Sequence, residues 1–122
     1  MVVGGPAEVE LGRKVADGTG GLDLSGQTSI LQLAAVLARC RLLVTNDTGP
    51  MHVADAVGTP VAAIFGPTDW RSTPPFGKNH AIVRKEIECA PCLKRICPLK
   101  HHDCMKQIAV EDVEKACRSL LA

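Results

Sequence analysis

Residues 42–65 read LLVTNDTGPMHVADAVGTPVAAIF, and the alternation inside this stretch decides the fold. Leu42-Leu43-Val44-Thr45 is a short apolar run and Asn46-Asp47-Thr48-Gly49 a polar loop. Residues 50–57 read as a helix with proline at its first position and Gly58 just past its end, and Val61-Ala62-Ala63-Ile64-Phe65 is a second apolar run. Strands that are apolar throughout and alternate with helices predict parallel pairing, because a sheet with one wet face would alternate apolar with polar residues. The expected architecture is α/β: a Rossmann-like, doubly wound parallel sheet with helices on both faces.

The pattern extends outward from this centre. Upstream, Thr28 or Ser29 caps a helix with the sequence SILQLAAVLARC, whose apolar stripe runs through Ile30, Leu33 and Leu37. Val2-Val3, ending in Gly4-Gly5-Pro6, reads as the tail of a buried strand entering a turn, and Leu22-Asp23-Leu24 as a short strand. Between them residues 8–16 form a helix with Leu11 and Val15 four residues apart, stopping near Asp17-Gly18. A chain that opens directly on a strand reads as a piece of a longer protein. Downstream come the turn Gly66-Pro67-Thr68-Asp69, a strand at Ala81-Ile82-Val83, a cysteine-rich irregular stretch over 86–105, and an amphipathic helix over 110–121.

Composition narrows the function classes. A length of 122 residues suits one domain with a single core. With two Phe, one Trp and no Tyr, that core is built from Val, Leu, Ile and Ala. Fourteen basic residues against 13 acidic ones leave a charge of +1, so no net field draws the chain to polyanions and nucleic acid is not an expected partner. No apolar run reaches the roughly 18 residues of a membrane span, and no basic stretch followed by an apolar core and a cleavage site opens the chain. The expectation is a soluble, cytoplasmic domain.

Thr45-Asn46-Asp47-Thr48-Gly49-Pro50-Met51-His52 joins the carboxyl end of a strand to the start of a helix, which is where open parallel sheets bind ligands. A helix start offers unpaired N–H groups and a positive dipole end, so a diphosphate docked on Thr48, Gly49 and Met51 would satisfy them, while Pro50 has no N–H to give. Asp47 and His52 then flank the anion. The competing reading is a routine helix cap followed by a solvated histidine. The turn Phe65-Gly66-Pro67-Thr68-Asp69 ends the next strand at the same sheet edge, where Thr68 and Asp69 are either further polar contacts or parts of a plain β-turn.

The run from Leu24 to Asp69, with DTGPMH joined to FGPTD at this separation, resembles the C-terminal domain of the heptosyltransferases that build the lipopolysaccharide inner core, and within them most of all the second heptosyltransferase. The likeness continues through Cys89-Ala90-Pro91-Cys92, Arg95, Cys97-Pro98 and His101-His102-Asp103-Cys104-Met105. It implies the C-terminal half of a GT-B glycosyltransferase, with residues 1–122 as the ADP-heptose-binding domain and an N-terminal acceptor domain outside this chain. By that resemblance Asp47, Thr48, Gly49 and His52 contact the diphosphate and sugar, Met51 lies beside them, Glu8 reaches the ribose with Glu10 on the same turn as its rival, and Thr28, beside Gln27, shapes the adenine pocket. The reaction implied moves heptose from ADP to a hydroxyl of the inner core with inversion, the general base belonging to the other domain, so that this chain alone is expected to transfer nothing. No Asp-x-Asp pair marks the diphosphate site, so no metal and no cofactor is expected there.

Four of the six cysteines form Cys89-x2-Cys92-x4-Cys97-x6-Cys104. A first C-x2-C pair suits zinc or an iron–sulfur cluster, yet the second C-x2-C of a zinc ribbon is absent, and disulfides or free thiols are equally open. Cys40 and Cys117 are expected on helices as small buried residues. Lys94, Arg95, Lys100 and Lys106, with His101 and His102, make the same stretch basic; it is either a solvated loop or a patch facing the phosphorylated acceptor or the inner face of the membrane. Two other readings of the chain stay open: a GT-B domain for another nucleotide sugar, and a non-enzymatic module holding zinc or iron–sulfur at Cys89–Cys104, besides a structural domain of the flavodoxin type.

Overall fold

The computed structural model describes residues 1–122. The chain gathers into two compact units, residues 1–36 and 37–122.

In the first unit the two expected strands shrink to one parallel bridge between Val2 and Asp23. The Val2 N–H donates to the Leu22 carbonyl (2.7 Å) and the Leu24 N–H to that of Val2 (2.9 Å). A single 3-10 turn, Pro6–Glu8, leads into α1, Val9–Thr19, which Gly20 closes in the left-handed region at φ 65°. The buried face of α1 is Gly12 and Ala16, while Leu11 and Val15 stay exposed, against the expectation from spacing. The reason is close approach: a Cβ at position 12 would stand 2.8 Å from that of Ser25, so only glycine lets the helix lie against that loop. Next comes α2, Ile30–Leu37. Ser29 and Gln32 cap it reciprocally, the Ser29 N–H donating to Gln32 Oε1 (2.9 Å) and the Gln32 N–H to Ser29 Oγ (3.2 Å). The helix is shorter than its apolar pattern suggests, so Cys40 lies beyond it, and Ile30 is exposed rather than part of a buried stripe.

The second unit holds a three-stranded parallel sheet: β1 (Leu43–Asn46), β2 (Val61–Ile64) and β3 (His80–Val83), in the order β1-β2-β3. Helix α3, Gly49–Ala56, packs on β1 and β2. After a short α4, Asp103–Lys106, the last helix α5, Val110–Leu121, packs on β2 and β3. The expected continuous burial holds for the central strand β2, whose Val61, Ala62 and Ala63 are fully buried. It fails for β1, which alternates half-buried and exposed positions and leaves Val44 47% exposed, because this strand has a neighbour on one side only.

Leu37, Met51, Val61 and Phe65 are the largest fully buried side chains, and burying each is worth about 1.5–3 kcal/mol. Among them the buried Thr59 hydroxyl donates at 2.6 Å to the Leu37 carbonyl, which also accepts the Cys40 N–H at 2.9 Å at the end of α2. Lys85, just past β3, pairs with Asp112 of α5 at 2.7 Å, tying the last helix to the sheet. No helix is long and apolar enough to cross a membrane.

Candidate functional site at the start of helix α3

The chain leaves β1 at Asn46, turns through Asp47 and Thr48, and enters α3 at Gly49 with Pro50 in the first turn. Asp47, Thr48, Gly49, Met51 and His52 are therefore brought together on one strand-to-helix turn, at the carboxyl end of a parallel strand. Thr48 stands at the N-cap in an extended conformation, φ −146° and ψ 170°, yet its side chain caps no helix N–H. Its hydroxyl is diverted instead, lying 3.2 Å from Thr45 Oγ1 and 3.4 Å from the Asn46 carbonyl. An uncapped helix start keeps its positive end available to an anion. In front of Gly49 the space is open, since a Cβ built there meets nothing within 4 Å.

Two details differ from the expectation. The Met51 N–H already donates to the Thr48 carbonyl at 3.1 Å, so it is not among the donors open to a phosphate. The Met51 side chain is 0% exposed and belongs to the core, where it fixes the turn from below. Asp69, a candidate in the second turn, is occupied locally. It accepts from the Arg71 N–H (3.1 Å), Arg71 Nε (3.0 Å) and Ser72 Oγ (3.2 Å), and the Arg71 backbone N–H, followed by its guanidinium, holds the carboxyl below its ordinary range. That is the plain-turn reading of this segment.

Sequence reasoning missed the segment that leans on α3. Thr73 Oγ1 donates to Asp47 Oδ2 at 3.2 Å, and the Asp55 carboxylate accepts the N–H groups of Phe76 (2.7 Å) and Gly77 (3.0 Å). The Phe76 ring sits 6.0 Å from that of His52, tilted by 38°, and is itself 91% exposed. His52 Nδ1 is buried with no hydrogen-bond partner. The available signal was Phe76 in a chain almost without aromatics, between Pro-Pro and Gly.

The remaining candidates, Glu8 and Thr28, belong to the first unit. Glu8 Oε2 accepts the Gly5 N–H at 2.7 Å, and Thr28 is half-buried just before α2.

Residues 1–103 match the family model described as glycosyltransferase family 9 (heptosyltransferase). The chain belongs to glycosyltransferase family 9. It is 40% identical over 100 residues to lipooligosaccharide heptosyltransferase 2 of Campylobacter jejuni, covering 81% of this chain and 31% of that protein. It is 35% identical over 94 residues to lipopolysaccharide heptosyltransferase 1 of Pseudomonas aeruginosa, covering 77% and 26%. Among solved structures, E. coli ADP-heptose LPS heptosyltransferase II superimposes with a TM-score of 0.80 at 26% identity, over 98% of this chain and 35% of that one. The family 9 glycosyltransferase from Veillonella parvula does so with 0.77 at 28% identity. This family 9 chain thus spans about a third of the relatives it matches, and its parallel sheet is the Rossmann-like fold expected from the sequence.

Proposed function

We propose that this family 9 chain is the donor-binding domain of a heptosyltransferase, holding ADP-heptose for transfer to the lipopolysaccharide inner core. The observation that carries the proposal is the uncapped start of α3 at the carboxyl end of β1, with open space before Gly49 and with Asp47 and His52 on the same turn. In this reading the diphosphate meets the helix end at Thr48 and Gly49. His52 supplies a hydrogen-bond donor or cation beside it, and Asp47 faces sugar hydroxyls. Glu8 and Thr28 are proposed as ribose and adenine contacts on the family resemblance alone.

As heptose leaves, ADP gains negative charge, and preorganised N–H donors with a nearby imidazole are suited to stabilising it. The carboxylate that takes the acceptor proton is assigned to the N-terminal domain, so the 122-residue chain by itself should bind ADP and transfer no heptose. No metal is assigned to this step. We place the enzyme in the cytoplasm, peripheral to the inner membrane, on the strength of its acceptor and of the basic residues between 94 and 106.

Titration with ADP, followed by backbone NMR, tests the assignment. Shifts should concentrate at residues 47–52, and an intact fold in which that turn is unperturbed by ADP refutes it. Comparing the melting temperatures in ADP, UDP and GDP separates a heptosyltransferase donor site from a GT-B site for another nucleotide sugar.

A further inference from the structure

The irregular stretch between β3 and α4 brings together what the linear spacing leaves apart. Cys89, Cys92, Cys97 and Cys104 all border one cavity of about 90 Å³, together with His101 and Met105. None of the four is in a disulfide. A zinc ribbon needs a second C-x2-C pair because its two hairpins each supply two ligands; here the loop folds Cys97 and Cys104 back to the wall that holds Cys89 and Cys92.

Backbone conformation makes a second, independent point. The chain's three non-glycine residues with positive φ are Leu93 (59°), Lys100 (60°) and His102 (58°), all in this stretch. Each such residue costs on the order of 1 kcal/mol, and strain of this kind gathers where a site over-determines the backbone. Leu93 directly follows Cys92, where its left-handed turn reverses the chain and lets its N–H donate to the Pro67 carbonyl at 2.8 Å. Lys100 and His102 curl the backbone around Cys97, placing the N–H groups of His102, Leu99, His101 and Lys100 about its sulfur.

We propose that Cys89, Cys92, Cys97 and Cys104 form a structural site for one thiophilic divalent cation of the zinc class, bound tetrahedrally by four thiolates. The side chains are not already gathered into a group that could hold a metal ion, so binding must draw the thiols inward to sulfur–metal distances of about 2.3 Å. Four thiols release four protons to solvent as the dication enters, leaving a net charge of −2 at the site. Lys94 and Arg95, which also border the cavity, offset that charge. With all four positions taken by protein the site is closed to substrate, and its role is to staple. Cys104 and Met105 lie against Gly66, where a Cβ would run into the Met105 thioether and stand 3.5 Å from Cys104 Sγ. Metal binding would thus pin the loop to the turn that follows β2.

The test is metal analysis of the chain purified under reducing conditions without chelator. The expected result is about one zinc or iron per chain, near-complete loss in Cys92→Ser and in Cys97→Ser, and full retention in Cys117→Ser. Replacement by Co2+ should give the thiolate charge-transfer and tetrahedral ligand-field absorption that free thiols lack. A serine variant can fail to fold, so alkylation of the wild-type chain decides independently: added Zn2+ should protect Cys89, Cys92, Cys97 and Cys104, and chelator should expose them. Absence of metal from the purified chain and after incubation with Zn2+, metal retained by Cys92→Ser and Cys97→Ser, alkylation unaffected by zinc, or a disulfide among the four in reduced protein each overturns the proposal.

Discussion

Gly49→Ala separates binding from stability at the start of α3. A Cβ at position 49 meets nothing of the chain within 4 Å, and Gly49 lies in the helix with no positive φ, so alanine enters without strain. Replacing glycine by alanine under those conditions lowers the entropy of the unfolded chain and is worth about 0.4–1 kcal/mol. For a domain of this size that is a rise in melting temperature of roughly 2–5 °C. The same methyl group fills the space through which a phosphate would approach the helix end. Losing one charge-assisted hydrogen bond costs about 1.5–3 kcal/mol, which weakens ADP by about ten- to a hundredfold. Differential scanning fluorimetry on both proteins, with and without ADP, reads both effects in one experiment: the apo melting temperature should rise while the ADP-induced increment collapses. A Gly49→Ala chain that keeps the full ADP increment would show that the diphosphate does not cross position 49, and the placement of the donor would be wrong.

Other expectations follow from individual contacts. Thr59→Ala removes one of the two donors to the Leu37 carbonyl, the Cys40 N–H remaining, and should cost about 0.5–1.5 kcal/mol in chemical denaturation, with Thr59→Ser recovering most of it. Asp112 is held below its ordinary 3.8 first by the Lys85 ammonium and then by the Ala109 N–H. A carboxylate depressed in the folded state stabilises it fully above the unfolded value and loses that contribution as pH falls through the folded one. The denaturation midpoint of the wild-type chain should therefore drop as pH falls below about 4, and Asp112→Asn should flatten that slope; parallel slopes would remove Asp112 from the account. Asp55→Ala frees the N–H groups of Phe76 and Gly77, so hydrogen exchange at these two amides should accelerate while amides of β2 keep their protection. Equal acceleration in β2 would mean that Asp55 supports the sheet rather than the loop.

The legible parts of the fold were those in which one physical demand acts alone. Val61–Ile64 is apolar because it is central, so its sequence and its environment agree, and α5 was read with its exact bounds from its amphipathic period. The spacing of Leu11 and Val15 misled because burial on α1 is set by how closely the helix approaches Ser25, and glycine wins over leucine where there is no room for a side chain. Val44 misled in the opposite sense, since an apolar edge position looks identical in sequence to a buried one. At the candidate site the turn itself was legible from Asp47 to His52. The contacts of Thr73 with Asp47 and of Phe76 with His52 join residues more than twenty positions apart and have no local signal. The cysteines show a third kind of limit: their spacing is visible, whereas the return of Cys97 and Cys104 to the cavity beside Cys89 depends on left-handed residues of types that rarely adopt that conformation.

Thr48 connects the stability of this turn with its proposed work. A threonine at an N-cap that bonds the N–H two or three residues on contributes about 1 kcal/mol to its helix. Thr48 forgoes this: its hydroxyl faces Thr45 and the Asn46 carbonyl, and the start of α3 is left without a side-chain cap. The Thr48 hydroxyl thus joins the turn to Thr45 and Asn46, and in the proposed reading the helix end is left to the diphosphate. It follows that Thr48→Asp, which offers a stronger cap and a negative charge, should stabilise the apo chain and repel ADP, whereas a purely structural turn would show the first effect and leave nothing for the second to act upon.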